Sequence, residues 1–112
     1  MFGFFSHDES SVSPQTVKSA LDQKEDVVII DVRTPQEYQV GHIQVSKLLP
    51  LQELMQKVNS LPEKNKKIYL YCRSGARSGQ AAQILKQLGF TNTHNMQGGT
   101  LSWSQNGFPL VK

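Results

Sequence analysis

The chain has 112 residues, 38% of them hydrophobic, and 12 Lys and Arg against 9 Asp and Glu give a net charge of +3. That length accommodates one domain with a core of its own, which needs neither disulfides nor a structural metal to stand. The single cysteine, Cys72, excludes an internal disulfide and a thiolate zinc cluster, so a reducing compartment is expected.

Residues 1–12 read as an N-terminal tail and residues 13–112 as one domain. The tail begins Met1-Phe2-Gly3-Phe4-Phe5-Ser6, too short for a secretory core and with no basic residue ahead of it. No stretch approaches the roughly 20 apolar residues of a transmembrane helix, so a cytoplasmic protein is expected. Phe2, Phe4 and Phe5 are expected to pack on the domain surface, with a partner or membrane contact as the other reading. Ser13-Pro14 signals a helix start, and Val17, Ala20 and Leu21 follow at helical spacing, which predicts a helix over 14 to about 23. The run Val27-Val28-Ile29-Ile30-Asp31-Val32 reads as a strand buried on both faces of a parallel sheet. Thr34-Pro35-Gln36-Glu37 has the form of a capping box, with a short helix running to about 40 and stopping at Gly41.

Lys47-Leu48-Leu49 reads as a short strand. Leu51, Leu54, Met55, Val58 and Leu61 form a helical stripe, with Met55 in the core. Lys64, Lys66 and Lys67 read as a solvated loop, and the mild basic excess gives no case for a nucleic-acid partner. Lys67-Ile68-Tyr69-Leu70-Tyr71 is the second clear strand. A helix is expected over 78–88, ended by Gly89 in a left-handed cap. Residues 91–96 form a weaker strand, and Gly98-Gly99 turns into a last helix around Trp103. Alternating strands and helices argue for an α/β domain with a mostly parallel sheet.

The informative segment is Tyr71-Cys72-Arg73-Ser74-Gly75-Ala76-Arg77-Ser78, where a buried strand ends in cysteine, turns tightly and enters a helix. Ligands of open α/β sheets bind beyond the carboxyl ends of strands, which is where Cys72 falls. Ser74, Gly75 and Ala76 are small enough for the loop to curl with its N–H groups inward, an anion nest around the sulfur. The helix start and the guanidinium groups of Arg73 and Arg77 add positive potential, which favours the thiolate and attracts a small oxygen-bearing anion. Loop length separates two chemistries. Cysteine phosphatases use C-x5-R; here Arg77 stands five positions after Cys72, giving C-x4-R, a smaller ring suited to one sulfur atom. Sulfite also leaves without a general acid, unlike an alkoxide, and no obvious acid follows the loop.

Three motifs in order are similar to those of the single-domain rhodanese family of thiosulfate sulfurtransferases, over roughly residues 13–109. Asp31-Val32-Arg33 with Glu37-Tyr38 and Gly41-His42-Ile43 resembles its first signature, and Cys72 to Ser78 resembles its active-site loop. Gly98-Gly99 with Trp103 and Gly107-Phe108-Pro109 resembles its closing element. After Gly41-His42-Ile43 the family has a small Pro-Gly-Ala-like stretch, where this chain has Gln44-Val45-Ser46-Lys47, a turn that would border the pocket.

The resemblance implies a three-layer α/β fold, a small twisted parallel sheet with helices on both faces. It also implies a Cys72 that cycles between thiolate and persulfide, with Arg73, Ser74, Gly75, Ala76, Arg77 and Ser78 as the substrate-binding loop. Asp31 and Arg33 would support that loop by hydrogen bonds; for Arg33 a structural pair with Glu37 is the equal alternative. The expected donor is thiosulfate or another small anionic sulfur compound. The acceptor is cyanide, a thiol or a protein cysteine, since no second cysteine can take the sulfur internally. No metal or cofactor is called for. His42 reads as structural rather than as a base for Cys72, nothing places His7 or His94 near the sulfur, and Trp103 reads as a core anchor. A sulfur-carrier or anion-binding module with little turnover, docking through the Phe-rich tail, stays open, as does a phosphatase or arsenate reductase.

Overall fold

In the computed structural model, which describes residues 10–112, the Ser13 side chain caps α1 (Pro14–Asp22) by accepting the Thr16 N–H at 3.1 Å. Phe2, Phe4, Phe5 and His7 lie outside the described residues. The chain continues as β1 (Val28–Asp31), α2 (Pro35–Val40), β2 (Lys47–Leu48), β3 (Ile68–Tyr71), α3 (Ala76–Gln87), β4 (Thr93–Asn95) and α4 (Gly99–Gln105). Both halves of the capping box at α2 form, with the Glu37 N–H on Thr34 Oγ1 at 3.2 Å and the Thr34 N–H on Glu37 Oε1 at 3.0 Å. Gly89 takes the left-handed conformation expected after α3, at φ 95°.

The four strands form one parallel sheet in the order β2-β1-β3-β4, with Ile30 opposite Leu70 and Asp31 opposite Tyr71. Because side chains alternate across a strand, the β-branched runs feed two cores. Ile30, Val32, Ile68, Leu70 and Cys72 pack against Ala81, Ala82 and Leu85 of α3. On the other face Ile29, Tyr69 and Tyr71 pack against Val17 and Ala20 of α1 and Trp103 of α4. Helices thus cover both faces. The chain's entry is tied to the sheet by Val12, which pairs in parallel with Met96.

The stripe from Leu51 to Leu61 does not build the continuous helix its spacing predicts. Two 3₁₀ turns, Leu51–Glu53 and Val58–Ser60, carry it instead. Leu54 is buried and Leu51, Val58 and Leu61 pack on the α3-side core, but the tighter, interrupted winding turns Met55 outward. Met55 is 58% exposed, so its expected place in the core is corrected.

The departure at residues 44–47 has a structural cost. Val45 sits at φ 62° with its side chain 68% exposed, a left-handed conformation that crowds a β-branched side chain. It lines a cleft of about 380 Å³ with Lys18, Leu21, Gln44 and Trp103. No residue of the Cys72–Ser78 loop lines that cleft. Val45→Gly relieves the strain and loses little packing. After the extra flexibility of glycine is charged against it, a gain of roughly 0.5–1 kcal/mol is expected, read as a higher melting temperature.

Candidate active site

Cys72 is the first residue beyond β3, at the carboxyl end of the sheet, and its side chain is 1% exposed. The chain reverses there because Gly75 takes φ 104°, which a residue with a Cβ adopts only under strain, and α3 starts at the next residue. The Gly75 N–H donates to the sulfur at 3.1 Å, and the buried Ser78 hydroxyl lies 3.4 Å from it. The helix thus begins at Ala76, two residues earlier than expected, and brings Ser78 under the sulfur.

N–H groups face inward because the loop's carbonyls are held outward. The Cys72 carbonyl accepts the Thr100 N–H at 2.9 Å, and the Arg73 carbonyl accepts the Leu101 N–H at 3.1 Å. The Gly75 carbonyl accepts the Gly79 N–H at 3.0 Å and the Asn95 amide at 3.2 Å. This packing brings two backbones into contact. At Gly99, φ 57°, a Cβ would stand 2.3 Å from the Arg73 carbonyl oxygen.

Burial pushes the Cys72 thiol up, but hydrogen bonds outweigh it: the Ser78 side chain first, then the N–H groups of Ser78, Gly75 and Ser74. The net direction is down. These donors, rather than the arginines alone, favour the thiolate.

The two loop arginines have different situations. Arg77 makes a bidentate pair with Glu37 of α2, Nη1 to Oε1 at 2.8 Å and Nη2 to Oε2 at 3.0 Å. Arg73 is exposed and has no ion-pair partner among the described residues. Glu37 Oε1 therefore serves both the α2 cap and the loop. The Arg77 hydrogen bond holds the Glu37 carboxyl at about 2, against an ordinary 4.5. A carboxyl lowered in the folded state contributes stability that is complete above about 4.5 and is lost as the pH falls toward 2. Glu37→Gln is expected to flatten the acid limb of a stability–pH curve in that window, measured by urea unfolding.

Asp31 and Arg33 do not hydrogen-bond the loop, which corrects that expectation. Arg33 spends its donors on Asp31, with Nε at 2.9 and 3.0 Å and Nη2 at 2.7 Å, and on the Gly41 carbonyl at 2.6 Å. Both are buried, and a buried carboxylate left without that partner would be strongly destabilising. Their link to the site runs through Tyr71, whose carbonyl accepts the Val32 N–H at 3.0 Å and whose ring lies 5.6 Å from the Arg33 guanidinium. Nor does Arg33 pair with Glu37, which is taken by Arg77.

Residues 13–106 match the Rhodanese-like domain family. The chain belongs to this family of rhodanese-like sulfurtransferases. It is 34% identical over 102 residues to a protein named Sulfurtransferase from Allochromatium vinosum, covering 91% of this chain and 94% of that one. It is 40% identical over 70 residues to Thiosulfate sulfurtransferase PspE of Escherichia coli, covering 62% of this chain and 67% of that one. The crystal structure of a rhodanese-related protein from Thermoplasma volcanium is similar, with a TM-score of 0.81 and 34% identity, covering 90% of this chain and 96% of that one.

Within this rhodanese-like domain the other singled-out residues are held in the framework. His42 stacks on Tyr38, ring centroids 3.7 Å apart and planes nearly parallel, with Nδ1 2.9 Å from the Tyr38 carbonyl. His94 lies between the Ser10 carbonyl and Asn92, and the Trp103 indole N–H donates to the Pro109 carbonyl at 2.9 Å. Among the described residues no group of three or more His, Cys, Asp or Glu is placed to hold a metal ion, and no helix is long and apolar enough to cross a membrane. Two residues at the site carried no functional reading in the sequence. Glu37 read as a cap and as a structural partner for Arg33, and Asn95 carried no signal until the sheet placed it beside Ser78, its amide oxygen 2.5 Å from the hydroxyl.

Proposed function

We propose that residues 13–112 act as one sulfurtransferase domain in which Cys72 takes the outer sulfur of thiosulfate and passes it to an external nucleophile. The observation that supports this reading best is the sulfur itself, buried but ringed by donors: the Gly75 N–H at 3.1 Å, the Ser78 hydroxyl at 3.4 Å and the start of α3. The Cys72 thiolate attacks the outer sulfur, the sulfur–sulfur bond of thiosulfate breaks, and sulfite departs with the electron pair. Cyanide or a thiolate then attacks the outer sulfur of the persulfide, and Cys72 leaves as thiolate. Charge stays near the nest in both half-reactions, and the inward N–H groups stabilise it without reorganising.

Arg73, exposed and without an ion-pair partner among the described residues, meets the entering anion, while Arg77, committed to Glu37, fixes the loop. Ser74, Gly75 and Ala76 supply backbone, and Ser78 supplies its hydroxyl. Asp31 and Arg33 brace the end of the neighbouring strand. The compact ring from Cys72 to Arg77 favours one added sulfur over a phosphoryl group. A single thiol that must remain free fits a reducing cytoplasm.

The test is the intact mass of the reduced protein before and after thiosulfate, followed by cyanide and detection of thiocyanate. One added sulfur, released again as thiocyanate, supports the cycle. Sulfur that loads slowly from thiosulfate but leaves quickly to a protein thiol would favour the carrier reading, and no gain of sulfur overturns thiosulfate as donor.

A further inference from the structure

Ser78 stands between two acceptors. Its hydroxyl lies 2.5 Å from Asn95 Oδ1 and 3.4 Å from Cys72 Sγ, yet it carries a single proton. The Asn95 amide cannot turn over to relieve the conflict, because its nitrogen donates to the Gly75 carbonyl at 3.2 Å, and a carbonyl only accepts. Asn95 therefore always presents its oxygen to Ser78.

We infer that Asn95 is a positioning residue that holds the Ser78 proton while Cys72 is neutral and yields it when the sulfur becomes a thiolate. The inference rests on Cys72 being the reacting thiol. In the neutral state the thiol S–H donates to Ser78 Oγ, and Ser78 donates to Asn95. On ionisation the hydroxyl turns its proton to the sulfur and the Asn95 oxygen gives it up. When a second sulfur is attached, the inner sulfur is neutral again and the proton returns to Asn95. The backbone N–H groups are fixed and cannot make this change; the hydroxyl can. Asn95 thus tempers the thiolate, competing with it for one donor.

The charged groups around Cys72 are Arg73 in the loop, Arg77 from α3 with its partner Glu37 from α2, and Asp31 from β1, committed to Arg33. None of these is altered by a change at Asn95 or Ser78. The rate of Cys72 alkylation by iodoacetamide across a pH series, with thermal melts to verify folding, reads the thiol directly in wild type, Asn95→Ala, Ser78→Ala and the double variant. Asn95→Ala is expected to lower the titration midpoint and Ser78→Ala to raise it, each by up to about one pH unit. In the Ser78→Ala background Asn95→Ala is expected to do nothing further. An Asn95→Ala shift that is absent, upward or equal in both backgrounds overturns the inference, because the residue would then act through Gly75 or not at all. If Asn95→Ala does not fold, Ser78→Ala decides alone: an unmoved midpoint means that the hydroxyl stays with Asn95 throughout. Thiosulfate takes no part, so failure of sulfur transfer and failure of this switch are separate results.

Discussion

Cys72→Ser is expected to abolish sulfur uptake from thiosulfate completely while changing the melting temperature little. Serine is slightly smaller than cysteine, and its oxygen accepts the Gly75 N–H that the sulfur accepts at 3.1 Å, so the buried position stays filled and bonded. The chemistry does not survive. The nest lowers the thiol below its ordinary value, but a hydroxyl starts many units higher, and the product needs a sulfur–sulfur bond. The loss is total because the chain holds no other cysteine to load. Intact mass after thiosulfate checks it: the wild type gains one sulfur, and a gain on the serine variant would place the chemistry elsewhere.

Gly99→Ala is expected to be the most damaging single methyl in the fold near the site. Its Cβ would stand 2.3 Å from the Arg73 carbonyl oxygen and 2.4 Å from that of Cys72, and neither can yield without dragging the loop. Overpacking of about 1–3 kcal/mol adds to left-handed strain of about 1–2 kcal/mol. The melting temperature should fall by roughly 10 °C or more, and alkylation of Cys72 at neutral pH should slow as the nest opens. Gly107 is the control. It has φ 79° but nothing within 4 Å of a Cβ, so Gly107→Ala bears the backbone strain alone and should cost roughly 1–2 kcal/mol. Equal losses at the two positions would mean that the close approach at Gly99 does not matter.

The fold was legible where local chemistry and packing agree. Val27 to Val32, Ser13-Pro14 and Thr34 to Glu37 became a buried strand, a capped helix and a capping box, because each signal is satisfied within a few residues. Leu51 to Leu61 misled because an i, i+3, i+4 pattern serves 3₁₀ turns as well as a helix, and Met55 bore the difference. At the site, Cys72 and its loop could be read because a nest is built from consecutive residues. Its supports could not. Glu37 meets Arg77 across 40 positions, and Asn95 meets Ser78 across 17, through a sheet order that no local pattern encodes. Asp31 and Arg33 were drawn to the right strand end but to the wrong partner, since a guanidinium beside a buried carboxylate is satisfied two residues away.

The carbonyls of Cys72 and Arg73 are turned outward by Thr100 and Leu101, and Gly75 is pinned by Asn95. During synthesis these anchors leave the ribosome well after the cysteine they organise. The thiol therefore matures late: a nascent chain carries Cys72 without its nest until residues 95–101 have emerged and docked. Reactivity therefore waits for the docking of residues 95–101, which spares the half-made domain from reacting with oxidants before its loop is closed.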